Sequence, residues 1–365
     1  MNILLVSGPG ISLKEPYNSG IESFMVSFAN KLVEEGHNVD VVALEADANC
    51  KFRVLNPFRV FKRTPPFFKR LQELRQFKNL DVSHYDVIHY NMFYPHLLKA
   101  GLTFNKPLFL TLHSPADKKR ILAYKKLSRQ GDITFAAISE RVRLQWEQAL
   151  AKQIPLIHNG IDLTLWPTKK HSGSGYLLWS ARINKEKNVA DAIRLAKHMQ
   201  LPLRIAGRIV DQDYFDSEVK PFLNDQIQYA GHLTRRELSS LAKQAAVFLA
   251  TATWQEPFGL AALEMLSSGV PVVGYQTAVP PDWTDQSVMT TRSHRWQDLE
   301  KLVVKSNSIT PADCKNFAST FGIHQMTLNY LQLYSQKAAK DKNSLGTSNV
   351  RKVMSHESEI ANKDY

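Results

Sequence analysis

The residues with the most chemistry to offer lie in one stretch, Thr253-Trp-Gln-Glu-Pro-Phe-Gly-Leu-Ala-Ala-Leu-Glu264. Glu256 and Glu264 bracket Phe258, Gly259 and Leu260, and the pattern starts a helix near Phe258 or Gly259. A helix start carries bare N–H groups and the positive end of the helix dipole, so it suits an anion such as a pyrophosphate. Gly259, lacking a side chain, lets that anion approach the backbone closely. Glu264 follows five residues later, roughly 7–8 Å along the axis at 1.5 Å per residue. That is the reach from a diphosphate to the ribose of one nucleotide, and a carboxylate can accept from two ribose hydroxyls. Glu256 precedes the helix and points wherever its loop aims it. The spacing argues against a glycosidase pair, whose carboxyls sit about 5–9.5 Å apart across one bond. The two glutamates suit different parts of one long ligand.

These groups need elements to hold them. Ala245-Ala-Val-Phe-Leu-Ala250 reads as a short buried strand, Gly269 stops the helix, and Val270-Pro-Val-Val273 restarts a strand. Upstream, Arg182 and Lys187 leave the strand Tyr176-Leu-Leu-Trp-Ser180 just before another helix. From these residues alone they are either a solvated charged turn or two cations for a diphosphate. At the start, Ile3-Leu-Leu-Val6 is a strand, and a loop runs from Gly8 to Gly20. A helix with apolar Phe24, Phe28, Leu32 and Val33 follows, and then the strand Val39-Asp-Val-Val42. That is a parallel crossover unit. It lacks the dinucleotide fingerprint, because Leu13 stands where a third glycine belongs. Further strands are predicted at 87–90, 108–112, 134–138, 203–207 and 227–232. Ligands of parallel sheets meet the carboxyl ends of strands, where His89 and His113 fall. A lone histidine there is more often a hydrogen-bonded structural residue. Asp211-Gln-Asp213 matches a short metal motif but reads as a loop, and no Cys/His cluster has metal-ligand spacing.

Glu256 through Glu264, followed by Ser268-Gly-Val-Pro-Val-Val273, resembles the E-x7-E signature of the retaining, glycogen-synthase-like glycosyltransferases of family 4, also called group 1. Pro155-Leu-Ile-His-Asn-Gly-Ile-Asp162 is similar to the family's Pro-Asn-Gly-Ile-Asp segment, with His158 in place of its proline. The resemblance extends to about residue 335, with its specific motifs in 155–274. It weakens after Gly274, where Ala278-Val-Pro-Pro-Asp-Trp283 lacks the family's Pro-Glu-Ile turn. It implies the GT-B fold, an α/β architecture of two doubly wound Rossmann-like domains facing each other across a cleft. The expected division is an acceptor-side domain over 1–167, a Gly/Ser-rich linker over 168–175 and a nucleotide-sugar-binding domain over 176–320. A C-terminal helix over 321–337, with Met326, Tyr330, Leu333 and Tyr334 as its stripe, would pack back on the first domain. Residues 338–365, polar and without a periodic core, are expected to be disordered.

The activity implied is transfer of a hexosyl group from a nucleotide-sugar donor to a hydroxyl acceptor, with retention and without a bound metal or other cofactor. By the same resemblance, Glu256 would hold donor-sugar hydroxyls and Glu264 the ribose. Arg182, Lys187 and the helix entry at Phe258, Gly259 and Leu260 would hold the diphosphate. His113 and Gly20 would face the sugar and the phosphates from the opposite domain. Envelope polysaccharide or glycolipid synthesis is a common use of the family. The same fold also serves a nucleotide-sugar epimerase, or a non-catalytic nucleotide-sugar-binding protein. Both glutamates, both cations and His113 are present, so nothing looks disabled.

Length and charge bound the rest. The 365 residues predict about two domains. Two distant cysteines, Cys50 and Cys314, suggest a reducing compartment. Met1-Asn-Ile-Leu-Leu-Val-Ser-Gly8 shows no basic leader, and no apolar run approaches the ~20 residues that span a bilayer, so a cytoplasmic protein is expected. The net charge of +12 is concentrated locally, since residues 51–80 hold nine basic residues against one acid, Glu73. Phe67, Phe68, Leu71, Leu74 and Phe77 recur there at helical spacing, with Lys69, Arg70, Arg75 and Lys78 between them. Such a helix is either packed with a solvated basic face or peripheral on an anionic membrane, near a lipid-linked acceptor. No nucleic-acid-binding motif accompanies the charge.

Overall fold

The computed structural model describes residues 1–58, 65–170 and 175–338. The expected disorder of 339–365, the middle of the linker at 171–174, and residues 59–64 of the basic segment lie outside the described residues. Ala338, expected in the tail, still belongs to the last helix.

The first half supplies β1 (Asn2–Val6), β2 (Ser12–Leu13), β3 (Asn38–Val42), β4 (Glu45–Ala46), β5 (Arg53–Leu55), β6 (Val87–Tyr90), β7 (Leu108–Leu112) and β8 (Thr134–Ala137). Six of these form a parallel sheet in the order β5-β3-β1-β6-β7-β8. The second half supplies β9 (Tyr176–Ser180), β10 (Leu203–Ala206), β11 (Ile227–Gly231), β12 (Ala245–Ala250), β13 (Val272–Tyr275) and β14 (Val288–Thr291), in the order β11-β10-β9-β12-β13-β14. Strands buried on both faces read as continuous apolar runs, and Ile3, Leu4 and Leu5 of β1 are fully buried. Each sheet grows outward in one direction and then restarts on the other side of its first strand. The switch points therefore fall between β1 and β6 and between β9 and β12. Crevices open at the carboxyl ends of strands at such points, and every expected site residue follows a strand near one of them or, for His113, the neighbouring β7.

Helices cover the sheets. They are α1 (Gly20–Glu34), α2 (Pro66–Lys78), α3 (Pro95–Gly101), α4 (Lys118–Ser128) and α5 (Glu140–Leu150) in the first half. The second half has α6 (Val189–Met199), α7 (Gln212–Glu218), α8 (Arg235–Ala242), α9 (Leu260–Ser267), α10 (Gln297–Ser306) and α11 (Pro311–Ser319). A last helix, α12, spans 323–338. In α1, Phe24, Met25, Phe28, Ala29 and Leu32 are buried at helical spacing. Asp211-Gln-Asp213 is not a plain loop. The Asp211 carboxylate accepts the Tyr214 N–H at 3.0 Å and caps α7, while Asp213 lies in its first turn.

The chain crosses between the two sheets twice, and the crossings pair. Ile161 donates its N–H to Phe321 O at 3.0 Å, and Ile323 donates to Ile161 O at 2.9 Å. A Cβ on Gly160 would stand 2.8 Å from Ile323 Cα, so the close approach needs a glycine there. Past this point α12 lies against the first sheet. His89 is fully buried there, its ring nitrogens 2.6 Å from Tyr334 Oη and 2.7 Å from Thr111 Oγ1. Thr111 Oγ1 is in turn 2.9 Å from Tyr330 Oη. His89 is thus a structural histidine, fully hydrogen-bonded inside the core.

Candidate active site

The two sheets face each other across a cleft of about 730 Å³. Gly20, His113, Arg182, Lys187, Glu256, Phe258, Gly259, Leu260 and Glu264 all line it.

The entry to α9 follows from one backbone angle. Gly259 caps the helix at φ +86°, a left-handed conformation that costs other residues strain. Phe258, buried just before it, anchors the turn edge-on against Trp283, with ring centroids 5.5 Å apart. Helix α9 then begins at Leu260, one or two residues past the expected start near Phe258 or Gly259. Leu260 meets the other domain, since a Cβ on Gly20 would lie 3.1 Å from Leu260 Cδ1. Gly20 is therefore a point of close approach between the domains at the start of α1.

Glu264 is 9% exposed, and its carboxylate has no hydrogen-bond or ion-pair partner among the described residues. Burial pushes its pKa up to about 8, against the pull of the Arg235 guanidinium, while Glu15 adds to the rise. A buried carboxyl that faces a cleft without a partner is suited to ligand hydroxyls.

Glu256 and Lys187, which the sequence reading assigns to different parts of the ligand, form an ion pair with each other. The Trp254 indole N–H donates to the same Glu256 oxygen at 2.9 Å, and the ammonium lies 5.0 Å from the Trp254 ring centroid. Arg182 has no hydrogen-bond or ion-pair partner among the described residues, so it is a cation on this wall left for an anion.

His113 stands on the opposite wall, immediately after β7. Its Nε2 is 3.1 Å from Asn91 Oδ1, and the Asn91 amide donates to His89 O at 3.4 Å. Burial pushes its pKa down to about 3, so the imidazole is neutral. Donation from Nε2 to Asn91 then leaves Nδ1 as an acceptor.

Several cleft residues carried no signal in the sequence. Arg235 of α8 pairs with Glu15, donates to Tyr17 Oη at 3.1 Å and to Ser27 Oγ at 3.2 Å, and lies 5.1 Å from the Tyr17 ring centroid. Arg208 donates to Asn18 Oδ1 at 2.6 Å, and His232 Nε2 lies 2.8 Å from Tyr17 O. These contacts tie the 15–18 loop of the first domain to loops after β10 and β11. All join residues about 190 positions or more apart, so no local pattern could have marked them.

Comparison with known proteins agrees with this architecture. Residues 18–165 match the model described as "Glycosyltransferase Family 4", and residues 162–308 match "Glycosyl transferases group 1". The chain belongs to this family of glycosyltransferases. It is 36% identical over 130 residues to glycogen synthase of Mycobacterium tuberculosis, covering 33% of this chain and 31% of that protein. The match thus spans about a third of the glycogen synthase length. An uncharacterized glycosyltransferase of Methanocaldococcus jannaschii is 24% identical over 301 residues, or 70% of this chain and 76% of the relative. Among solved structures, sucrose-phosphate synthase from Thermosynechococcus elongatus superimposes with a TM-score of 0.72 at 18% identity, covering 93% of this chain and 99% of that one. Anabaena HepE in complex with UDP and glucose gives 0.72 at 17%, covering 92% and 100%. These likenesses establish the GT-B fold.

Proposed function

We propose that the protein transfers a sugar from a nucleotide-sugar donor to a hydroxyl acceptor in the cleft between its domains. The observation that carries this reading is the pairing of an unpartnered buried carboxylate, Glu264, with an unpartnered cation, Arg182, at the carboxyl ends of β12 and β9. A nucleoside diphosphate needs an acceptor for its ribose hydroxyls and a cation for its phosphates, and both line the one cleft. Lys187 and the start of α9 add positive potential where the leaving diphosphate gains charge, a stabilisation that requires no metal. His113 and Glu256 then face the sugar from opposite walls, Glu256 held by Lys187 and Trp254. Retention at the anomeric carbon and a hexosyl donor are proposed on family membership.

For the acceptor we propose a lipid-linked saccharide of envelope polysaccharide or glycolipid synthesis. A relative 25% identical over 224 residues is named GDP-mannose:cellobiosyl-diphosphopolyprenol alpha-mannosyltransferase, from Xanthomonas campestris. On this chain, Phe67 and Phe68 stand 73% and 60% exposed beside exposed Lys69 and Arg70 on α2, a face suited to an anionic bilayer. No described helix is long and apolar enough to cross a membrane.

The test begins with thermal unfolding in UDP, GDP and ADP, because a ligand of the native state raises the midpoint. A rise with one of them identifies the base, and no rise with any sinks the proposal. Product analysis of the matching nucleotide-sugars with and without acceptor follows. Interconversion of the donor without an acceptor would favour an epimerase instead.

A further inference from the structure

Glu256 is held by its side chain on one side and by its main chain on the other. Its N–H donates to Thr277 O at 2.8 Å. Its carbonyl accepts from Arg141 Nη1 at 2.7 Å, and Arg141 belongs to the other domain, in the first turn of α5. The same Nη1 donates to Thr277 O at 3.0 Å, while Nη2 donates to Gln276 O at 3.1 Å and Val279 O at 2.8 Å. All four terminal guanidinium hydrogens thus go to main-chain carbonyls. The Glu256 and Asp282 carboxylates act on Arg141 only through their field, with no ion pair among the described residues. Three of those carbonyls belong to or follow the short 3-10 turn Gln276–Ala278. The last carbonyls of such a turn have no partner within the turn itself and attract a cation.

The neighbours of Arg141 repeat the pattern. Ser139 Oγ donates to Pro257 O at 2.5 Å, and Gln145 Nε2 donates to Gln255 Oε1 at 3.1 Å. The N-cap and first two turns of α5 therefore grip three consecutive residues, Gln255, Glu256 and Pro257, across the domain boundary. The Glu256 carboxylate enters the cleft from the centre of that grip.

We propose that Arg141 is a positioning residue for Glu256, making the aim of the Glu256 carboxylate depend on the docking of the first domain against the second. With α5 docked, the loop is fixed and Glu256 meets Lys187 and Trp254. With α5 withdrawn, the four carbonyls lose their common donor and the carboxylate loses its aim. The arrangement links closure of the domains to assembly of the site.

The effect on turnover rests on the proposed transfer reaction, so the test includes a readout that does not. The chain has six tryptophans, and the indole N–H of Trp254, which contacts the Glu256 carboxylate, is identified in a 15N spectrum by its loss in Trp254→Phe. In Arg141→Met that signal shifts, kcat falls on the order of 10²-fold, and the affinity for the nucleoside diphosphate stays within about twofold. Arg141→Lys, which keeps the charge but cannot reach four carbonyls, recovers part of both. If Arg141→Met does not fold, Arg141→Lys alone supplies the two measurements. An unmoved Trp254 signal overturns the assignment. So does a loss of diphosphate affinity in proportion to kcat, which marks a general structural role. If no sugar is transferred by the wild type, the indole shift still decides the role of Arg141.

Discussion

Glu264 is protonated in the protein alone up to a pH of about 8, because burial disfavours its charge more than Arg235 favours it. Accepting from two ribose hydroxyls requires the ionised form. Nucleoside diphosphate affinity should therefore rise with pH towards 8, by about tenfold per unit where the carboxyl is mostly neutral, and level off above. Titration calorimetry from pH 6 to 9 reads this directly, and Glu264→Gln should bind weakly with no such rise. An affinity flat in pH for the wild type would remove Glu264 from the ribose. Arg182 gives a separate prediction. As it has no protein partner among the described residues, Arg182→Ala should cost about 1.5–3 kcal/mol of diphosphate binding and leave the fold intact. Lys187→Ala should differ, because it also strands the partly buried Glu256 and so lowers the unfolding midpoint. The Lys187–Glu256 pair joins positions 69 apart. The sequence made each residue legible as part of a site but could not reveal that they meet.

Helix α2 illustrates what periodicity can and cannot tell at the scale of an element. The spacing of Phe67, Phe68, Leu71, Leu74 and Phe77 marks a helix, and the helix is there. One stripe predicts one environment, yet Phe77 is fully buried while Phe67 is 73% exposed. Glu73 is buried too, paired with His96 of α3 at 3.1 Å. The second half of α2 packs on α3 and the core, and the first half projects its aromatics. Phe77→Ala should cost about 3–5 kcal/mol, whereas Phe67→Ala should stay within about 0.5 kcal/mol. Stability therefore offers no reason to keep two phenylalanines exposed beside two cations. Sedimentation with vesicles tests membrane binding as the reason. The protein should pellet with anionic but not neutral vesicles, and salt should release part of it. Phe67→Ser with Phe68→Ser should lower the pelleted fraction without moving the unfolding midpoint. Wild type left in the supernatant at low salt would make α2 a solvated face and the acceptor a soluble one. In contrast, the unit from β12 through α9 to β13 was legible nearly to the residue, because a strand, a glycine cap and a helix stop are all local events.

At the scale of the molecule, three of the buried titrating groups pull stability in opposite directions with pH. His89 and His113 are each pushed down to about 3 by burial, so both are neutral in the native state and take up protons only on unfolding, near pH 6.5. Their contribution is complete above 6.5 and is lost as pH falls towards 3. Glu264 acts in the opposite sense, since its raised pKa gives stability that is lost as pH rises from about 4.5 to 8. Between 4.5 and 6.5 the two histidines outweigh the one glutamate. Above 6.5 only the glutamate changes, so these groups place the optimum near pH 6.5, with limbs of about 1.4 kcal/mol per pH unit on either side. Unfolding midpoints across pH 4.5–8.5 check this, and Glu264→Gln should flatten the alkaline limb. A wild-type midpoint still climbing from pH 6.5 to 8 would contradict it.

The return of α12 to the first sheet has a consequence for how the chain is made. His89 and Thr111 emerge from the ribosome early, but the hydroxyls that satisfy them, Tyr330 and Tyr334, come more than 200 residues later. At about 5–20 residues per second, everything from Gly160 to the end of α12 takes roughly 10–40 s to synthesise. For that interval the first domain holds an imidazole and a threonine hydroxyl facing an unfilled side of its core. It can collapse, but its last buried hydrogen bonds must wait until the second domain has been translated. Newborn chains stalled before residue 323 should therefore be protease-sensitive in the first domain, although every strand of its sheet has already been made.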